Sequence, residues 1–122
     1  MGLLDLLFAG KRMEEIKMAL VGKHVFDSLI SADQKNQVIT LANQRLREGT
    51  SPSDKSTMDD LNLRVRYVFL ALAMAELGID HGLKGFQWTY VRNPFMVRYY
   101  DENLWGAATD MLRKKYGLNV SL

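Results

Sequence analysis

The sequence predicts a mainly α-helical fold, a compact bundle or orthogonal packing of about five helices around a buried central helix at residues 57–77. Three observations carry this. From Tyr67 to Ala75 no side chain is charged, and such a run belongs in a core rather than at a surface. Apolar residues recur at helical spacing through most of the remaining chain. Capping boxes and glycine-plus-apolar stops mark where those stretches begin and end.

Residues 1–10 (MGLLDLLFAG) are apolar with one charge, Asp5, and predict a short helix ended by Gly10. A second helix is expected from about Lys11, with Met13, Ile16 and Leu20 on one side. Beyond Gly22, the residues Val25, Phe26, Leu29 and Ile30 fall on roughly the opposite side of a continuous wheel. A kink or break near Gly22 is therefore the simpler expectation. Ser31 and Gln34 then form a capping box that opens a helix running to about Glu48, with Gly49 as its stop. Its apolar stripe is narrow (Val38, Ile39, Ala42, Leu46). The rest is amide-rich and basic (Asn36, Gln37, Asn43, Gln44, Arg45, Arg47), which puts this helix on the outside. Residues 49–56 (GTSPSDKS) read as an internal loop.

The central helix has overlapping capping boxes at its start, Ser56 with Asp59 and Thr57 with Asp60, whose carboxylates also suit the positive end of the helix dipole. Gly78 followed by Ile79 is its stop. Leu61, Val65, Val68, Phe69 and Leu72 share one side, and Leu63, Tyr67, Leu70 and Met74 a second. Asp60 and Arg64 are spaced to pair on the strip between them, where Ala71 and Ala75 would let a neighbouring helix approach closely. Alternation from Leu61 to Tyr67 is strand-like, but the length and the caps at both ends outweigh it.

A glycine-rich loop follows. Phe86, Trp88 and Tyr90 then alternate with Gln87, Thr89 and Val91, Asn93–Pro94 interrupts, and Phe95 to Tyr100 resumes the aromatic run. Residues 86–100 are expected to form either a short β-hairpin or an irregular extended aromatic segment packed on the helices. Asp101 caps the last helix, which puts Leu104, Trp105, Ala108, Met111, Leu112 and Tyr116 on one face, and Gly117–Leu118 repeats the stop. Gly106 sits mid-helix, where glycine costs about 1 kcal/mol relative to alanine, so a close neighbour is expected there. The tail beyond Leu118 is expected to be loose.

At 122 residues the chain reads as a single helical domain. It contains no cysteine, which excludes disulfides, thiolate metal ligands and thiol catalysis and fits a reducing, cytoplasmic setting. The net charge of +2 gives no basis for a polyanionic partner at the level of the whole chain. The apolar run is well short of the roughly 20 residues that span a bilayer. Leu3 to Phe8 is too short for the apolar region of a signal peptide.

Catalytic signals are weak. His24 and His81 lie far apart with no metal-ligand spacing, and no metal or cofactor is expected. Asp80 and His81 sit together in the glycine-rich loop and are the weak catalytic candidates, but no nucleophile frame accompanies them. The glycines with Lys84 do not have phosphate-loop spacing. A single-stranded nucleic-acid binder is the more serious alternative. Arg92, Arg98, Lys114 and Lys115 are interleaved with Trp88, Tyr90, Tyr99 and Tyr100 in the way that stacking platforms use arginine and aromatic rings. Yet residues 79–122 hold only six basic against four acidic residues, and no recognition helix is readable.

The favoured reading is a non-enzymatic protein–protein interaction or adaptor module that self-associates. Its expected surface is Leu3, Leu4, Leu7, Phe8, Trp88, Tyr90 and Tyr99. Leu3, Leu4, Leu6, Leu7 and Phe8 cover most of two helical turns, and three destinations suit so much apolar surface. It can fold onto its own core, dock on a second copy, or lie in a lipid interface with Lys11 and Arg12 at the head groups. The lipid option is the weakest, since two turns anchor poorly alone.

Overall fold

The computed structural model describes residues 3–49, 57–79 and 94–120. Within them lie four helices, α1 (Leu3–Ser28), α2 (Ala32–Gly49), α3 (Leu63–Glu76) and α4 (Glu102–Tyr116), and two 3₁₀ segments, Met58–Asp60 and Pro94–Tyr99. No strand occurs among the described residues. α1 packs most extensively on α3 and also on α4, while α2 and the second 3₁₀ segment pack mainly on α3.

α3 is the buried helix that its charge-free run requires. Val65 and every residue from Val68 to Met74 are buried. Burying a side chain such as Leu72 or Met74 stabilises the fold by about 1.5–3 kcal/mol. Its start lies later than the expected residue 57. The Thr57–Asp60 capping box does form, with the Thr57 N–H donating to the Asp60 carboxylate at 2.9 Å, but it opens only the 3₁₀ turn. The chain is extended at Leu61, and Asn62 caps α3 by accepting from the Arg64 N–H at 2.9 Å. The break lets Met58 turn into the core. The Arg66 side chain donates to the carbonyls of Met58, Asp59 and Leu61, groups that a continuous helix would have bonded internally. Asp60 is thus engaged with Thr57, and Arg64 pairs with Glu102 rather than with Asp60. Leu63, placed by the sequence on the second apolar side of the helix, is 49% exposed.

α1 corrects the sequence reading twice, since neither Gly10 nor Gly22 interrupts it. Among the described residues only Gly78 and Gly117 have positive φ. The first two expected helices are one, which leaves four rather than five. Its middle is covered nearly all round, with Glu15, Ile16, Met18 to Val21 and Val25 buried, so opposed apolar sides need no kink. Gly22 is where α1 crosses α3. A Cβ built there would lie 2.6 Å from the Ala71 Cβ and 3.2 Å from the Tyr67 carbonyl oxygen. Ala71 therefore admits a close neighbour, as its size suggests, and the neighbour is a glycine.

α2 opens on the Ser31–Gln34 box, with both reciprocal bonds present at 3.0 and 3.2 Å. It buries Val38, Ala42 and Leu46, while Ile39 lies at the exposed margin. Between α3 and α4, the half of the aromatic segment that is described is 3₁₀ rather than extended. Pro94 suits the first helical position, where its fixed φ is already in place and its missing N–H is not needed. Val97 points into the core, and the Phe95 ring meets Phe69 edge-on at 5.6 Å. Residues 86–93, the other half of the expected hairpin, lie outside the described residues, as does most of the 49–56 loop.

Asp101 caps α4 by accepting from the Asn103 N–H at 2.8 Å, and Trp105, Ala108 and Leu112 are buried. Both glycine stops form as expected. Ile79 N–H reaches the Met74 carbonyl at 2.9 Å, and Leu118 N–H reaches that of Leu112 at 3.2 Å. Gly106, by contrast, has no close neighbour among the described residues: it is exposed, and a Cβ there would meet none of them within 4 Å. The tail is not loose as far as Val120, which is buried in the core.

Candidate functional site

Polar side chains inside the fold are spent on holding helices together. The Tyr100 hydroxyl donates to the carboxylate of Glu15, which is buried in α1. Burial first, and then this bond, push the Tyr100 phenol well above its usual range. Arg64 makes a bidentate pair with Glu102 at 2.6 and 2.7 Å, and its guanidinium lies 4.3 Å from the centroid of the Trp105 ring. The hydrogen bond from Arg64 holds the Glu102 carboxyl below its usual range. Trp105 is buried, and its indole N–H has no hydrogen-bond partner among the described residues. Arg45 on α2 binds Glu76 on α3 and, at 2.9 Å, Glu48 on its own helix. Between α1 and α3, Lys23 and Tyr67 both engage Asp27, and Lys23 lies over the Tyr67 ring. These arrangements clamp helices, and none leaves a nucleophile beside a base.

Of the expected interaction residues, Leu3, Leu4, Leu7 and Phe8 belong to the first two turns of α1. The environment of their side chains lies outside what is described, and so do Trp88 and Tyr90. Tyr99 is on the 3₁₀ segment, 62% exposed, with the Arg98 guanidinium 4.4 Å from its ring centroid. Asp80, His81 and Arg92 lie outside the described residues. Lys114 and Lys115 are exposed in the last turn of α4, whose main contact is with α1. Arg98 sits on the second 3₁₀ segment, which packs mainly on α3 and also on α1. Among the described residues no group of three or more His, Asp or Glu is placed to hold a metal ion. No described helix is long and apolar enough to cross a membrane.

One surface was not foreseen. An open depression of about 400 Å³ lies along α2 beside the end of α3, lined by Asn36, Gln37, Thr40, Leu41, Gln44 and Leu77. The amides are visible in the sequence as the polar side of α2. Leu77 comes from the end of α3, and only the packing of the two helices brings it there. Leu77 is 42% exposed, an apolar side chain left at the rim of a neutral, amide-rich face. No protein-family model, curated protein or solved structure matches this chain.

Proposed function

We propose that the chain is a non-enzymatic protein–protein interaction module that self-associates. The observation that supports this is the unbroken course of α1 from Leu3. The apolar N-terminal turns are then a rigid continuation of a core helix, not a separate short helix hinged at Gly10. A helix of this kind can be received by a groove on a partner without first being ordered. Removing residues 2–8 is the test, with native mass and thermal unfolding as readouts. Loss of an oligomer supports the reading. An unchanged mass with lower thermal stability assigns those turns to the chain's own core instead.

The alternative, binding to single-stranded nucleic acid, is favoured by one observation, the exposed Tyr99 ring with Arg98 stacked on it. That reading requires oligonucleotide affinity that falls steeply with salt and weakens in Arg98→Ala. No binding at low salt removes it. An enzymatic role would rest on Asp80 and His81.

A further inference from the structure

We infer that α2 is a two-fold interface through which the chain pairs with a second copy of itself, the two α2 helices running antiparallel and crossing at Thr40. This rests on the reading of the chain as a self-associating module and gives that association a surface distinct from the N-terminal turns.

Asp33, Asn36, Thr40, Gln44 and Arg47 are all exposed and recur at three- and four-residue spacing, so they form one line along α2. That line is symmetric in chemistry about Thr40. An amide stands four residues to either side, Asn36 and Gln44, and a charge stands seven residues to either side, Asp33 and Arg47. The two charges are of opposite sign. Neither has an ion pair or side-chain hydrogen bond among the described residues, unlike Arg45 and Glu48 beside them.

An isologous contact places each residue opposite its symmetry-related position. With Thr40 on the axis and the helices antiparallel, Asp33 of each copy faces Arg47 of the other, and Asn36 faces Gln44. Each charge lies about 10 Å along the helix from the axis. At the crossing angle of about 20° common for antiparallel helices, the ends stay within reach of an arginine side chain. A parallel alignment would instead set Asp33 against Asp33 and Arg47 against Arg47. The groups nearest the axis also suit a two-fold. Like meets like there, which charges resist, whereas amides both donate and accept, and the Thr40 hydroxyl, whose proton goes to the Asn36 backbone carbonyl at 2.8 Å, is neutral. The depression that Thr40 helps to line has no charged residue among the described residues of its lining, and Leu41 and Leu77 are its apolar members. One helix face with a single leucine from α3 is at the low end of specific interfaces, so the dimer is weak and exchanging rather than obligate.

The test is a charge swap, read by sedimentation equilibrium on the full chain from roughly 10 μM to 1 mM at low salt. Asp33→Arg alone, or Arg47→Asp alone, turns both end contacts into repulsions and should weaken self-association by about tenfold or more. Mixing the two single variants restores both contacts in a heterodimer, so the mixture should associate as the parent does while neither component does so alone. The double variant Asp33→Arg/Arg47→Asp should also recover. Raising the salt should weaken the parent but not remove the order of the variants. If the parent dimerises and the single reversals dimerise equally well, the α2 interface is wrong while self-association stands, and deletion of residues 2–8 then locates it. If the parent stays monomeric throughout the range, both the interface and the self-associating reading are overturned.

Discussion

α3 and α2 are neighbours of similar length and opposite construction. α3 loses Val65 and the whole of Val68 to Met74 to the core, whereas α2 buries only Val38, Ala42 and Leu46 there, with Leu41 packed at the margin. What α2 lacks in apolar contact is partly replaced by directed bonds. Arg45 reaches Glu76, and the Asn43 side chain accepts from the Met58 N–H at 2.8 Å. A helix buried all round is held by packing, which has no preferred partner group and covers every face. A helix held by one stripe and a few polar ties keeps a face available. The difference explains why α2 keeps an exposed face that the middle of α3 does not have.

The largest effect should come from the packed helix. Leu72→Ala removes a fully buried side chain and should cost about 2–5 kcal/mol in denaturant melts, whereas Thr40→Ala on the exposed stripe of α2 should stay within about 0.5 kcal/mol. A small loss at Leu72 would mean that α3 is not the centre of the core. The two mid-helix glycines sharpen the same contrast with opposite signs. Gly22→Ala drives a methyl into Ala71 and should destabilise by about 1–3 kcal/mol. Gly106→Ala meets nothing and should stabilise by up to about 1 kcal/mol through helix propensity. Equal effects at the two positions would place the α1–α3 crossing elsewhere.

Next in size is the polar tie of α2. Asn43→Ala leaves the part-buried Met58 N–H without its acceptor and should cost about 1–2 kcal/mol. The smallest effect concerns pH. Glu102 is mostly exposed, and its carboxyl is held below the ordinary value of 4.5 by Arg64. A carboxyl whose pKa is lower when folded contributes stability above its unfolded pKa and loses it as the pH falls through the folded value. Stability should therefore decline slightly more steeply on acidification below pH 4.5 in the parent than in Glu102→Gln, as followed by thermal melts. A steeper decline in the variant would reverse the sign and exclude the pair as the cause.

The sequence by itself determined the features whose partners lie within a turn or two of chain. The Ser31–Gln34 box, the Asp101 cap and the left-handed stops at Gly78 and Gly117 each bond backbone groups a few residues away, so residue type and spacing were enough. The charge-free run of α3 likewise implied burial whatever covered it. Tertiary structure decided the rest. A glycine inside a helical pattern serves a break or a close approach equally well, and only the presence of Ala71 opposite Gly22 selects the second. The Thr57–Asp60 box is the same in sequence whether it opens a helix or a single 3₁₀ turn. Its outcome depended on Met58 entering the core and on Arg66 bonding the carbonyls of Met58, Asp59 and Leu61. For the candidate surface, although the line from Asp33 through Thr40 to Arg47 was not singled out, the amide-rich and basic side of α2 was legible in the sequence. Leu77 was not, because a position at the end of α3 becomes part of that face only once the two helices have packed. Local hydrogen bonds are set by spacing along the chain. Helix crossings are set by pairs of surfaces remote in sequence, and their geometry is written in neither surface alone.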